Sequence, residues 1–142
     1  MKYELNKIKV VLENYKHLLR GPAKLGKTTL YRDLILEAYG TPEAGLLISP
    51  SNETGFRAID NLYAQEAPTW KAFVEVVDDL VDNKADNNFK IICIDTVDAL
   101  IEIATDRVLQ MHYQQKGERA TSLNAALGGY SAGQNKVSEL II

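Results

Sequence analysis

The chain has 142 residues, which is enough for one compact domain spanning residues 1–142 and too few for two. Its hydrophobic fraction of 46%, charged fraction of 25% and net charge of −3 are typical of an ordinary globular protein and exclude a polycation that binds nucleic acid through bulk charge. The single cysteine, Cys93, excludes an intrachain disulfide and reads as a small core residue. Because no apolar run reaches the ~18 residues of a membrane span, we expect a cytoplasmic protein with no membrane partner.

The first half of the chain alternates short apolar runs with one helical pattern. Residues 1–14 fit a strand and a helix equally well. Residues 17–19 predict a short strand, and a helix is predicted from residue 27 to a glycine and proline just beyond residue 39. Residues 45–49 predict a second buried strand, which a loop rich in polar residues follows.

The second half continues the alternation. An amphipathic helix is predicted after Thr69, which is a good N-cap. Its apolar face has residues at helical spacing: Phe73, Val76, Val77, Leu80 and Val81. Its polar face, which we interpret as solvated, carries Asp78, Asp79 and Asp82. Residues 89–94 predict a strand buried on both faces. A long helix is predicted at residues 97–117, and a short amphipathic segment at residues 137–141. This order predicts an α/β fold with a mainly parallel sheet.

Residues 21–28 match the phosphate-loop (Walker A) pattern G-x-x-x-x-G-K-[ST] at every fixed position, between a predicted strand and a predicted helix. Glycines let the backbone N–H groups point at phosphates, and the N-terminus of the helix adds a partial positive charge. Lys27 would reach the β- and γ-phosphates and act in catalysis, whereas Lys24 occupies a variable, solvated position. The predicted nucleotide-binding residues are Gly21, Pro22, Ala23, Lys24, Leu25, Gly26, Lys27, Thr28 and Thr29.

Asp95 ends the apolar run of residues 91–94, as in a Walker B strand. An aspartate at the carboxyl end of a parallel strand lies at the edge where ligands bind, so we predict that Thr28 and Asp95 hold Mg²⁺. The alternative is that Asp95 caps the helix that follows.

Hydrolysis also needs a group that positions the attacking water. Thr96 stands where many AAA+ ATPases have a glutamate, and Asp98 falls within the next helix. Glu53 follows the second predicted strand and can reach the same edge of the sheet, so we predict a catalytic role for it. The alternative is an exposed loop glutamate.

Residues 16–30 and 89–98, together with Pro68-Thr69-Trp70, resemble the phage-type AAA-domain ATPases, which include the Sak4-like, RecA-related single-strand annealing proteins of bacteriophages. The resemblance covers about residues 15–110. It implies a three-layer RecA-like P-loop NTPase core, ATP with Mg²⁺, and recombination or replication on single-stranded DNA in the host cytoplasm. It also implies sites shared between subunits of a homo-oligomer. The roles carry over to Gly21, Gly26, Lys27, Thr28, Asp95 and, less directly, Glu53.

The sequence departs from this resemblance at its C-terminal end. RecA-like cores insert a further strand between the phosphate-loop strand and the Walker B strand, and this strand follows the Walker B helix in sequence. Only residues 140–142 could begin it. We therefore expect an incomplete sheet and the N-terminal part of a longer protein, or else a smaller P-loop variant.

Three functions remain open from the sequence. The first is an ATPase acting on DNA, for which Lys116, Arg119, Lys136 and the aromatic Tyr113 and Tyr130 are candidate contacts, although the sequence favours a structural role for both tyrosines. The second is a small-molecule or nucleotide kinase, in which the phosphate-loop and Walker B strands are neighbours. The third is a nucleotide-dependent switch with little turnover. The sequence does not settle ATP against GTP, and ATP is what the resemblance implies.

Overall fold

A computed structural model describes residues 11–51 and 55–142. Within these ranges the chain forms four α-helices and three strands, in the order α1 Lys27–Tyr39, β1 Gly45–Ser49, β2 Tyr63–Glu66, α2 Trp70–Asp82, β3 Ile91–Ile94, α3 Val97–Lys116 and α4 Ala132–Ile141. None of the helices in the described ranges is long and apolar enough to cross a membrane.

The three strands form a parallel sheet in the order β2-β1-β3, which confirms the predicted α/β class. Leu47 in the central strand lies opposite Ala64 in β2 and Cys93 in β3. All five residues of β1 are buried, as expected for a strand that pairs on both edges and is covered on both faces.

Helices cover both faces of the sheet and so produce three layers. On one face Tyr31 and Ile35 of α1 pack against Leu47, and the Tyr31 hydroxyl donates to the carbonyl oxygen of Ile91 at 3.2 Å. On the other face Ile48 packs with α2 residues that include Phe73. The alternation of Leu47 and Ile48 between the two faces follows from the two-residue period of a strand.

A second core lies between α3 and α4. Ala104 and Val108 of α3 pack with Val137 of α4 and with Ala126 of the short 3₁₀ segment Leu123–Gly128. The ring of His112, only 6% exposed, accepts the backbone N–H of Leu127 through Nδ1 at 2.9 Å. This hydrogen bond ties the segment after α3 back onto the helix.

The strand predicted at residues 17–19 is wrong. Residues 16–20 have no regular structure, and the Leu18 side chain is 78% exposed. The prediction that residues 89–94 form a strand buried on both faces is also wrong, because the strand is confined to Ile91–Ile94, none of its residues is fully buried, and Ile92 is 43% exposed. Both differences have one physical reason, because within the described ranges β3 pairs with β1 alone and its other edge lies beside no strand.

Two further elements differ from the sequence predictions. Strand β2 was not predicted, because its residues are alternately exposed and half-buried and give no apolar run. Residues 140–142, proposed as the start of a strand, instead complete the last turn and the C-cap of α4. The acidic residues Asp78, Asp79 and Asp82 are exposed, which confirms their assignment to a solvated face.

Candidate functional site

The phosphate loop leads into α1 through Gly26, which caps the helix with a left-handed backbone (φ 87°). Glycine tolerates this conformation because it has no Cβ, and the turn lets the carbonyl of Gly26 accept the N–H of Leu30 at 2.8 Å. The first N–H groups of α1 are therefore presented at the loop, where an anion binds favourably. Lys24 is exposed and also left-handed (φ 62°).

Lys27 holds the loop together in this structure. Its ammonium group donates to the carbonyl oxygens of Gly21 at 3.0 Å and Pro22 at 2.9 Å. The side chain thus folds over the concave side of the loop, where the phosphates of a nucleotide would lie. A phosphate oxygen offers a stronger, charge-assisted acceptor than either carbonyl.

The most informative contact of the site joins the loop to the sheet. The Thr28 hydroxyl donates to Oδ2 of Asp95 at 2.7 Å, across 67 residues of sequence. Asp95 is fixed in turn by its backbone N–H, which donates to the carbonyl of Ile48 at 3.0 Å. The sequence predicted both residues as metal ligands, and the structure brings their side chains together.

Thr96, and not Asp95, caps the helix that follows. The Thr96 hydroxyl accepts the N–H of Ala99 at 3.3 Å, in the usual N-cap geometry. The alternative reading of Asp95 as a helix cap is therefore wrong, and its carboxylate is directed at the phosphate loop.

The chemistry of these groups fits a metal–nucleotide complex. Hard oxygen donors such as a hydroxyl and a carboxylate are the ligands that Mg²⁺ prefers, and Mg²⁺ usually shares its shell with phosphates and water. A lysine and a helix N-terminus supply positive charge on the phosphate side. Thr28 and Asp95 would hold the metal, and Lys27 with the loop N–H groups would hold the phosphates.

Glu53 lies outside the described residues, so its role stays a prediction. The residues before it, Ser49 and Pro50, are buried at the carboxyl end of β1, the strand beside β3. The other acid considered, Asp98, is exposed in the first turn of α3.

The sequence did not reveal the apolar wall beside the loop. A surface pocket of about 330 Å³ adjoins Lys27, and it is lined by Leu19, Arg20, Leu25, Gly26, Lys27 and Leu30. Leu19 precedes the loop, Leu25 occupies a variable position of the loop, and Leu30 lies on the exposed side of α1. The motif specifies none of these three positions, so it does not predict the apolar wall.

Two groups beneath the site are kept neutral by burial. Burial raises the pKa of the Cys93 thiol to about 12, and the charge of Asp95 adds to the effect. The pKa of the Tyr31 hydroxyl is also raised well above its ordinary value, mainly by burial and secondarily by the charge of Cys93. These residues form the apolar floor below Asp95.

A comparison with protein families supports this assignment. The model of the family AAA_24, described as an AAA domain, matches residues 13–141, which include the phosphate loop and Asp95. The chain belongs to this AAA domain family. Neither the curated proteins nor the solved structures contain a significant match. Membership of this family indicates a P-loop domain of the nucleotide-binding ATPase type. The parallel sheet with helices on both faces is consistent with such a domain.

Proposed function

We propose that this AAA domain is a Mg²⁺-dependent ATPase related to the phage RecA-like proteins, and that it works with single-stranded DNA in recombination or replication. The observation that carries the ATPase part is the hydrogen bond between Thr28 and Asp95 at 2.7 Å. It unites the two sequence motifs of a metal–nucleotide site at the carboxyl edge of the sheet.

In the proposed mechanism, the N–H groups of the loop and Lys27 bind the phosphates and compensate the charge that develops on the γ-phosphate. A Mg²⁺ ion bound here would neutralise part of the negative charge of the phosphates. Thr28 and Asp95 orient that ion, and Glu53 accepts a hydrogen bond from the attacking water. ATP is the proposed nucleotide because the AAA domain family is of the ATPase type. The N-K-x-D stretch at residues 83–86, a pattern that reads guanine in other P-loop proteins, lies between α2 and the amino end of β3, whereas Asp95 lies at the carboxyl end of that strand.

The DNA part of the proposal is supported by the region after α3. Tyr113 is 54% exposed and Tyr130 is fully exposed, so both rings are accessible, which supports a binding role over the structural role expected from the sequence. Lys116 and Arg119 are exposed nearby in sequence. Exposed aromatic rings and cations are the groups that bind single strands without sequence preference.

Tyr130 is also held in an unusual backbone conformation. It has a left-handed φ of 49°, within a run of five consecutive residues with positive φ at positions 127–131. Such conformations cost of order 1 kcal/mol for a residue other than glycine and are concentrated at functional sites. This strain supports a role for the exposed ring beyond packing.

Lys136 is the weakest of the candidate DNA contacts. Its ammonium group lies 2.8 Å from the Glu139 carboxylate, and its side chain is only 35% exposed. We therefore give Lys116 and Arg119 the larger share of phosphate binding.

A nucleotide switch is the second candidate function, because the described sheet has three strands and the edge of β3 lies open in the described ranges. A site beside an open sheet edge would bind nucleotide and hydrolyse it slowly. The kinase alternative is disfavoured, because the segment before the phosphate loop does not pair with β3 as that class requires.

The deciding experiment is ATP turnover by the purified chain with Mg²⁺, with and without single-stranded DNA. Stimulation by DNA supports the full proposal. Binding without turnover, unaffected by DNA, favours the switch. Transfer of phosphate to an added small-molecule acceptor would contradict both.

A further inference from the structure

A buried hydroxyl lies beside Asp95 and has no role in the site as described so far. Ser49, the last residue of β1, is 2% exposed. The register pairs Ile48 with Ile94, so the next pair along the two strands is Ser49 and Asp95. Adjacent strands are about 4.8 Å apart, which places the two residues side by side at the carboxyl edge.

The side chains of Ser49 and Asp95 lie on the same face of the sheet. Leu47 and Cys93, two residues earlier in each strand, both pack toward α1. Since side chains alternate along a strand, Ser49 and Asp95 also face α1, and the contact from Thr28 to Asp95 agrees with this. Ser49 therefore borders the space between the phosphate loop and Asp95.

The Ser49 hydroxyl is poorly satisfied by the protein. It contacts the Ser51 hydroxyl at 3.5 Å, longer than the 2.5–3.0 Å of an ordinary O–H···O hydrogen bond. Buried hydroxyls nearly always have a partner of good geometry, either a protein group or an ordered water. A water molecule between Ser49 and Asp95 would supply one, because the strand spacing suits a single bridging water.

We propose that Ser49 is a positioning residue for the hydrated Mg²⁺ ion, and that its hydroxyl holds a metal-bound water beside Asp95. Mg²⁺ keeps several waters when proteins bind it, so groups that hold those waters contribute to its affinity. Outer-shell partners of this kind typically change metal affinity by about 10- to 100-fold. The inference rests on the proposed function, because it concerns the metal of the same nucleotide site.

The test compares Ser49→Ala and Ser49→Cys with the parent chain and with Ser138→Ala, a matched control at an exposed position on α4. Cysteine keeps the volume of the buried site but replaces the hydroxyl with a weak donor. Nucleotide binding is titrated against Mg²⁺ for each protein, and ADP binding in excess EDTA and thermal unfolding are measured alongside.

We expect both Ser49 variants to need about tenfold more Mg²⁺ for half-maximal binding, with ADP affinity in EDTA and melting temperature close to those of the control. An unchanged Mg²⁺ requirement in Ser49→Cys would overturn the inference, and so would a change confined to Ser49→Ala, because that would indicate packing. If Ser49→Ala does not fold, the volume-conserving Ser49→Cys decides. If the parent chain itself does not bind nucleotide, the proposed function is contradicted instead.

Discussion

Cys93 lies beneath the site and offers a direct probe of its interior. Burial raises the pKa of the thiol to about 12 from an ordinary value of 9.0, and the Asp95 charge adds to this. The thiolate is the reactive form, so we expect a thiol reagent at pH 8 to modify the native chain at least about a hundredfold more slowly than the unfolded chain. Because Cys93 is the chain's one cysteine, the rate reports this position alone. Equal rates would contradict its burial.

The same shift predicts a pH dependence of stability. A folded-state pKa above the unfolded value means that the group's contribution is complete below pH 9 and is lost as pH rises toward about 12. We expect Cys93→Ala to flatten the fall in the free energy of unfolding across this window, as measured by urea denaturation at several pH values.

Glu53 carries the prediction about catalysis. Glu53→Gln removes the charge that would orient the attacking water and leaves the phosphate-binding groups in place. We expect near-normal ATP affinity and at least about tenfold slower hydrolysis. Unchanged hydrolysis would assign the water to another residue, and Glu102→Gln is the matched control at an exposed glutamate on α3.

Among the individual residues of the site, the sequence predicted those whose spacing a motif determines. It missed those whose position is determined by tertiary packing. Lys27, Thr28 and Asp95 were predicted because phosphate and metal chemistry dictates their spacing, and the structure joins two of them directly. Ser49 and His112 have no local pattern. The position of Ser49 beside Asp95 depends on the strand register, and the contact of His112 depends on Leu127, 15 residues away.

Helix α4 packs closely against the segment that follows α3. A Cβ on Gly133 would lie 2.2 Å from the carbonyl oxygen of Leu123 and 3.1 Å from the Cβ of Ala126. The first contact is with backbone, which cannot rotate away. We expect Gly133→Ala to lower the free energy of unfolding by about 2 kcal/mol, although alanine favours helix.

Urea denaturation measures this change, and Gly55→Ala is the matched control because its Cβ would meet nothing within 4 Å. Equal stability of the two variants would contradict the tight packing of α4 against the segment after α3.

The helices were the elements best predicted from sequence. Their caps are local chemical signals, as Thr69 and Thr96 accept N–H groups and Gly40 and Gly117 adopt left-handed C-caps. Strands were predicted well only where they are central. Strand β1 is buried throughout, whereas β2 at the edge has an alternating pattern too short to separate from a loop.

Residues 16–20 show why a strand cannot be predicted from composition alone. Their apolar content suits a strand, but a strand requires a hydrogen-bonding neighbour, and in the described ranges they have none. Pairing is a property of the whole sheet, and the sequence of one segment does not contain it.

For the whole molecule, the net charge of −3 means that DNA binding must depend on local groups.

We expect Tyr130→Ala to lose about 1–3 kcal/mol of affinity for single-stranded DNA, because one stacking ring is removed. We expect Lys116→Ala to reduce the slope of log K against log salt by about 0.7, because one phosphate contact is removed. Fluorescence anisotropy with a labelled oligonucleotide measures both, and Tyr15→Ala is the control for an exposed tyrosine elsewhere. If Tyr130→Ala binds DNA like the control, the DNA part of the proposal is wrong.

The phosphate loop, residues 21–28, is proposed to bind the phosphates of a nucleotide. Calorimetric titration of the parent chain and of Lys27→Ala with ATP and Mg²⁺ tests it most directly, with thermal unfolding as the check on folding. We expect the parent chain to bind ATP and Lys27→Ala, equally folded, to have lost tight binding, because Lys27 and the loop N–H groups supply the positive charge at the site. Equal affinity in the two proteins, or no binding by the parent chain, would contradict it.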